Sequence, residues 1–243
     1  GSRGLGDVYK RHIIRSMKIN AISQGYLGIG LFLVFTTVAM IMYPGGTIHD
    51  SSTEGYQFFY NFFSNLGEWT ARNGESNKIS AYLFNSALML LALSYFIFYY
   101  QFLKILSKAL NNSFLRILLI STIIVSMVSF VLVAVFSGET ETRDLHVLFV
   151  KIAFRVLLLH GVLQVISMFK IKNINSSVKW VTLFFTLILV GFILVMDFGP
   201  DAWDGNQALF IQVTAQKVIV YSILTYFFFQ LNAAKSLSTS QLD

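Results

Sequence analysis

Two cations lie four residues apart inside a stretch that is otherwise apolar enough to cross a membrane. The stretch, DLHVLFVKIAFRVLLLHGVL (144–163), contains Lys151 and Arg155, with His146 and His160 near its ends. A charged side chain in the middle of a bilayer is unfavourable unless a partner neutralises it. We therefore expect these cations to contact either carboxylates of the same chain or an anionic ligand.

Lys217 is a third cation inside an apolar segment, and helical spacing places Tyr221 on the same face. A helix rises about 1.5 Å per residue, so Arg155 lies about 16 Å below Asp144, and Lys217 is about equally deep. No apolar segment has an acid in its interior, and Asp197, at the end of the fifth, comes nearest. This excess of deep cations favours an anionic ligand such as a lipid phosphate or carboxylate, which Arg and Lys bind well. The alternative, in which the cations pair with acids of the chain, remains open.

The loop after the first apolar segment is rich in aromatic residues: GYQFFYNFFSNLGEWTARNGE (55–75). Read as a helix, it places four polar side chains on one narrow stripe: Asn61, Asn65, Glu68 and Arg72. A segment that is apolar nearly all round except for one stripe either lies at the membrane interface or lines a cavity. We therefore predict a short amphipathic or re-entrant helix here, with Glu68 able to reach toward Lys151.

Composition identifies the class of protein. Hydrophobic residues make up 55% of the chain, charged residues only 12%, and mean hydropathy is +0.65. Soluble domains are about a quarter charged, so the chain is predicted to be an all-α polytopic integral membrane protein. Six apolar segments have spanning length, at 22–43, 79–103, 113–136, 145–169, 178–197 and 207–231.

The distribution of charge predicts the topology. Basic residues concentrate in the amino-terminal segment, in the loops after spans two and four, and after span six, whereas ten of the twelve acids lie in the opposite loops. The positive-inside rule therefore places both termini in the cytoplasm, in a plasma membrane. We attribute the net charge of +6 to the basic segments that orient the protein in the membrane, and we predict no nucleic-acid partner.

The predicted organisation is one six-helix domain, 22–231, between a cytoplasmic segment 1–21 and a cytoplasmic tail 232–243. The opening Gly1-Ser2 is typical of an expression-vector remnant. The absence of cysteine excludes disulfides and thiolate metal sites. Histidines and carboxylates of the outer loops fit no metal-ligand spacing, so we predict no metal and no cofactor.

Three stretches carry a resemblance to a known group of proteins: GYQFFYNFFSNLG in the first loop, DLHVLFVKIAF at span four and QKVIVY in span six. They are similar to uncharacterised prokaryotic six-span membrane proteins near the FRAG/DRAM/Sfk-like superfamily. Ser64, Leu66 and Gly67 match that family's Ser-x-Leu-Gly motif after span one. Asp144 and His146 match its Asp/His pair at span four, although here the two are only two residues apart, closer than in the family pattern. Because eukaryotic relatives are associated with lipid-anchor remodelling, the resemblance implies lipid handling.

These observations predict a protein that binds an anionic lipid-like ligand in an outward-facing intramembrane pocket. The candidate ligand-binding residues are Asn61, Asn65, Glu68, Lys151, Arg155, Asp197, Lys217 and Tyr221. If the ligand is also modified, His146 is the candidate general acid or base, together with Asp144. Two alternatives remain: a transporter or channel for small solutes or ions, and a structural or partner-binding subunit. Membrane lipids are the expected partners, and self-association is left open.

Overall fold

The computed structural model describes the backbone of residues 2–110, 112–171 and 175–239, and the side chains of residues 20–104, 106, 112–171 and 175–235. Six α-helices account for most of it: α1 Ser2–Met42, α2 Lys78–Leu110, α3 Ser113–Val135, α4 Arg143–Lys170, α5 Ser176–Phe198 and α6 Asn206–Thr239. No β-strand occurs in the described ranges, which contain only two isolated bridges. The all-α prediction is therefore confirmed.

Each helix contains a stretch long and apolar enough to cross a membrane, and the predicted spans are confirmed to within a few residues. These stretches are Asn20–Met42, Lys78–Lys104, Ser113–Val135, Arg143–Lys170, Ser176–Phe198 and Asn206–Lys235. The chain is thus a multi-pass membrane protein. The terminal segments 1–21 and 232–243 fall largely outside the residues whose side chains are described.

Short polar residues define several helix ends. The Asn112 side chain accepts a hydrogen bond from the Leu115 amide at 3.0 Å, which caps α3, and Asn175 caps α5 through the Ser177 amide at 2.9 Å. Such caps satisfy amide groups that have no partner within the helix. Gly199 ends α5 directly before Pro200, which cannot continue a helix.

The six helices form a closed ring. Each helix packs against its neighbour in sequence, and α6 also packs against α1. The loop at residues 43–77, which we call the first loop, folds into one end of this ring. We call that end the loop face, and we call the opposite end, from which α1 enters the ring and at which α6 leaves it, the terminal face. A ring of this kind can enclose a space along its axis.

The first loop contains one short helix, a 3-10 helix at Phe63–Gly67. The loop re-enters the ring: Phe63 packs edge-on against Tyr221 and stacks with Phe84. The helix is shorter than the sequence predicted, so Asn61, Glu68 and Arg72 lie outside it and form no helical stripe. The helix is short because asparagine side chains of the loop bind nearby backbone amides.

Candidate functional site

The side chains of the first loop bind the loop's own backbone. Asn61 Oδ1 accepts from the Gln57 amide at 2.8 Å, and Asn65 Oδ1 accepts from the Phe62 amide at 2.7 Å. Asparagine competes with helix formation by taking backbone amides in this way. Asn77 then donates to the carbonyl oxygens of Asn65, Leu66 and Glu68. These bonds explain why a compact re-entrant loop forms in place of a longer amphipathic helix.

Gly67 lets the first loop approach α2 closely. A Cβ atom at this position would lie 2.5 Å from Asn85 Oδ1, and Asn85 Nδ2 donates to the Gly67 carbonyl at 3.1 Å. The neighbouring Leu66 is fully buried, and its carbonyl accepts from the Ser80 hydroxyl at 3.0 Å. The Ser64-x-Leu66-Gly67 stretch is therefore packed tightly against α2.

Lys217 anchors the first loop to α6. Its Nζ donates to Tyr56 Oη and, at 2.7 Å, to the Asn61 carbonyl, and it lies 4.0 Å from the centre of the Phe63 ring. The side chain of Tyr56 in turn donates to the same Asn61 carbonyl at 2.9 Å. Hydrogen bonds to oxygens and contact with an aromatic face lower the cost of burying a lysine head group. Lys217 thus has its partners within the chain.

A polar chamber of about 470 Å³ lies at the loop face, between the first loop and helices α4, α5 and α6. Its lining includes three cations and three carboxylates: Arg72, Arg143, Lys151, Glu68, Asp197 and Asp201. Two loops close its rim, joined by a 2.9 Å hydrogen bond between His49 Nε2 and the Ala202 carbonyl. Arg143 lies over the Trp203 ring at 4.7 Å. The chamber therefore has walls of mixed charge and an aromatic rim.

An apolar shaft of about 100 Å³ lies below the polar chamber on the axis of the ring. All six helices contribute to its wall, mostly through aromatic and aliphatic side chains. One lining residue from each helix, in the order α1 to α6, illustrates this: Phe32, Leu88, Phe130, Phe154, Phe185 and Val220. Polar side chains occur near its two ends. The shaft therefore provides a hydrophobic environment beneath a polar one.

The polar chamber and the shaft share four lining residues, Ser64, His146, Val150 and Gln216, which we call the neck. The Phe63 amide donates to Gln216 Oε1 at 2.6 Å, which fixes the first loop against α6 at this level. The two spaces are therefore adjacent across the neck, and together they form one amphipathic site.

Three of the six charged residues in the chamber's lining form ion pairs within the described ranges. Arg72 donates to Glu68 Oε1 at 2.6 Å, and Arg155, from outside the chamber, donates to both oxygens of Asp197 at 3.0 Å. Lys151 makes no ion pair or hydrogen bond with any residue that the structure describes. The Nε of Arg72 is also buried without a partner in the described part of the chain. Lys151 is thus the cation of the lining that is available to a ligand, whereas Arg72 Nε is enclosed by protein.

The ionisation of Glu68 is affected by its position in the first loop. Burial raises its pKa, and this effect exceeds the opposing effects of the nearby Arg72 guanidinium and the Asn65 amide. The Asn65 amide donates to Glu68 Oε1 at 3.0 Å. Glu68 therefore keeps its proton to a higher pH than a fully solvated glutamate does.

His146 lies at the neck with a defined ring orientation. Its Nδ1 is 2.7 Å from the Phe136 carbonyl oxygen, so Nδ1 carries the proton in that bond. In the neutral ring, Nε2 is then the basic nitrogen. The neighbouring Asp144 is exposed and lines neither cavity. His146 is therefore the group at the neck that is able to exchange a proton.

A buried polar layer closes the shaft toward the terminal face. Tyr95 donates to Gln230 Oε1 at 3.0 Å, Gln230 donates to Tyr226 Oη at 2.8 Å, and Tyr226 donates to Gln164. Next to this layer, His160 Nδ1 is 3.0 Å from the Thr122 hydroxyl. Because Tyr95 and Tyr226 also line the end of the shaft, these hydrogen bonds form its floor.

The structure brings together half of the predicted site residues. Five line the polar chamber: Asn65, Glu68, His146, Lys151 and Asp197. The other five line neither cavity: Asn61, Asp144, Arg155, Lys217 and Tyr221. Of these, Asn61, Lys217 and Tyr221 contact the first loop or belong to it, and Arg155 pairs with Asp197. The suggested approach of Glu68 to Lys151 is replaced by the ion pair with Arg72.

Sequence reasoning did not single out several lining residues. Gln212 and Gln216 are four residues apart near the start of an apolar helix, so they share a face, and both line the chamber. That spacing is the signal in the sequence that indicates a shared role for the two glutamines. Arg143, at the start of α4, also lines the chamber, and nothing in its position in the sequence distinguishes it from other loop charges.

Comparisons with known proteins return no match to a family model, to a curated protein or to a solved structure. The functional argument therefore depends on the site itself.

Proposed function

We propose that this protein binds an amphiphilic ligand whose anionic head occupies the polar chamber and whose apolar part occupies the shaft. The observation that supports this most strongly is the adjacency of a polar space of about 470 Å³ and an apolar space of about 100 Å³ across the neck. A lipid-like molecule has the same order of polar and apolar parts. Pockets with mostly apolar walls and a few converging polar groups are typical ligand sites.

The charge of the head is inferred from Lys151. Two of the three acids in the lining, Glu68 and Asp197, are each held by an arginine, whereas Lys151 has no partner among the described residues. A cation in a site that excludes bulk water is stabilised by an anion. A phosphate or carboxylate head neutralises this lysine.

The proposal includes the orientation inferred from the basic residues. With both termini in the cytoplasm, the loop face and its chamber open to the outer side of a plasma membrane. The resemblance to the FRAG/DRAM/Sfk-like superfamily agrees with lipid handling and is part of the proposal. A chamber at the loop face lies at the level of lipid head groups on that side.

Native mass spectrometry of the full chain in mild detergent tests this proposal. Phosphatidylglycerol and phosphatidylcholine with the same chains are added to wild type and to Lys151→Met, and bound fractions are compared. We expect wild type to prefer the anionic lipid and Lys151→Met to lose that preference, because only the anionic head neutralises the lysine.

Lys78→Met is the matched control, since Lys78 is exposed at the start of α2 and lines neither cavity. It removes the same charge at the same end of the ring. The proposal is wrong if both variants reduce lipid binding equally, or if wild type shows no preference between the two heads.

A second candidate function, chemical modification of the bound ligand, is favoured by the position of His146. The neck is where the head and the apolar part of a ligand would join, and the neutral ring offers a basic nitrogen there. His146→Gln should keep lipid binding and abolish the formation of a product, measured by mass spectrometry of lipids extracted after incubation. If wild type also forms no product from the lipid that it binds, the protein binds without chemistry.

A further inference from the structure

The dimensions of the shaft define the apolar part of the ligand more closely. On α2 the shaft lining extends from Phe84 to Tyr95, and on α4 it extends from His146 to Leu157. Both intervals are eleven residues, and at about 1.5 Å per residue the shaft is about 16 Å deep. The lining on α6, from Gln216, gives the same depth. A volume of about 100 Å³ spread over this length leaves no room for two hydrocarbon chains side by side.

The end of the shaft is fixed. Tyr95 and Tyr226 form its floor, and both are held by Gln230 in the buried polar layer. The ring of Tyr95 also packs edge-on against Phe227 with centroids 4.8 Å apart. Moving these side chains would break buried hydrogen bonds, which is costly in a medium without water. The shaft therefore limits the length of the chain that it accepts.

From this geometry we infer that the ligand is a single-chain anionic amphiphile, and that the tyrosine floor sets the length of its chain. This inference rests on the function proposed above and specifies its ligand. A lipid with two chains would leave the second chain outside the shaft, because the shaft is too narrow for both. A chain longer than the shaft would have to displace the floor or keep its head away from Lys151.

The first experiment compares lysophosphatidylglycerol with phosphatidylglycerol by native mass spectrometry of the full chain. The two probes share one head and differ in the number of chains. We expect the single-chain lipid to bind about tenfold more tightly, in a manner that requires Lys151. If both lipids depend on Lys151 but the two-chain lipid binds equally well or better, the single-chain inference is wrong and the proposed function stands. If neither lipid depends on Lys151, the proposed function fails and this inference fails with it.

The second experiment shortens the shaft at two depths. Val220 lies four residues below Gln216 on α6, and Ala92 lies eight residues below Phe84 on α2, so they are about 6 Å and about 12 Å deep. Val220→Phe and Ala92→Phe should shift the preferred chain length downward, more strongly for Val220→Phe. Each methylene that no longer fits weakens binding about fourfold.

Leu93→Phe is the control for added bulk, because Leu93 is adjacent to Ala92 in sequence but 55% exposed on the outside of the ring. It should leave the preferred chain length unchanged. Two depths keep the test decisive if one variant does not fold. An unchanged chain-length preference in a folded shaft variant would overturn the inference of a length limit.

Discussion

Two lysines of this protein have opposite surroundings, and the contrast identifies the ligand site. Lys217 is 3% exposed, and its Nζ contacts Tyr56 Oη, the Asn61 carbonyl and the Phe63 ring. Lys151 lines an open chamber and has no partner within the described ranges. The first loop thus provides all of these contacts to the Lys217 side chain. The cation left unsatisfied is the one that faces open space, which is the arrangement expected of a binding group.

Arg155 is an intermediate case. It lies four residues after Lys151 on α4, yet its side chain is 52% exposed and binds Asp197 from outside the chamber. The guanidinium therefore neutralises a carboxylate that lines the chamber. Three deep cations consequently have three roles: an anchor, a neutralising partner and a ligand group.

Replacement of the anchor should have the largest effect on stability. Lys217→Ala leaves Tyr56 Oη and the Asn61 carbonyl without their cation, and we expect a loss of about 3 kcal/mol in the free energy of unfolding. Lys151→Ala should change it by no more than about 0.5 kcal/mol, because Lys151 makes no contact of this kind. Thermal melting of both variants in the same detergent measures the difference. Equal destabilisation by the two substitutions would contradict the contrast between the lysines.

The buried polar layer should show a smaller effect. Tyr226→Phe removes the hydroxyl that joins Gln164 to Gln230, and hydrogen bonds between membrane helices are worth about 1 kcal/mol. We expect this loss in melting experiments, with lipid binding retained because the ring still closes the shaft. Loss of binding without loss of stability would mean that the hydroxyl itself contacts the ligand.

Arg155 should affect binding more than stability. Its ion pair with Asp197 is half-exposed, so Arg155→Met should change the free energy of unfolding by less than about 1 kcal/mol. The freed Asp197 charge then repels an anionic head in the chamber. We expect weaker binding of phosphatidylglycerol, restored in the double variant Arg155→Met/Asp197→Asn. Binding that the second substitution fails to restore would contradict this indirect role.

Glu68 should produce the smallest effect, visible as a dependence of stability on pH. Burial raises its pKa above the ordinary value of 4.5, so the folded protein holds this proton more tightly than the unfolded protein does. Its contribution to the free energy of unfolding is therefore fully present below about pH 4.5 and is lost as the pH rises through the raised pKa. Glu68→Gln cannot lose a proton and still offers an oxygen to Asn65 and Arg72. The variant should gain stability relative to wild type as the pH rises, whereas parallel melting curves would argue against the raised pKa.

The sequence predicted the helices well because hydropathy and length determine spans directly. It predicted the first loop less well, since helical periodicity at Asn61 and Asn65 competes with the tendency of their side chains to bind backbone amides. The loop has three further amide side chains, Gln57, Asn73 and Asn77, and spacing alone cannot indicate which backbone groups each of them will bind. The outcome depends on contacts with α2 and α6 that are distant in sequence.

The site was predictable in its residue types but not in its geometry. Lys151 and Arg155 share a helical face in the sequence, yet one lines the chamber and the other reaches outward to α5. The difference of about 40° between positions four apart is enough to separate them. The shaft was not predicted, because its wall consists of ordinary apolar side chains from six helices. Such a space arises from how helices pack, which no single segment encodes.

The most direct test of the proposed site is an electron cryomicroscopy structure of the full chain in lipid nanodiscs with lysophosphatidylglycerol. We predict continuous density that begins at Lys151, passes Val150 at the neck and ends at Tyr226. An empty shaft, with the lipid bound only on the outer surface of the ring, would contradict the account.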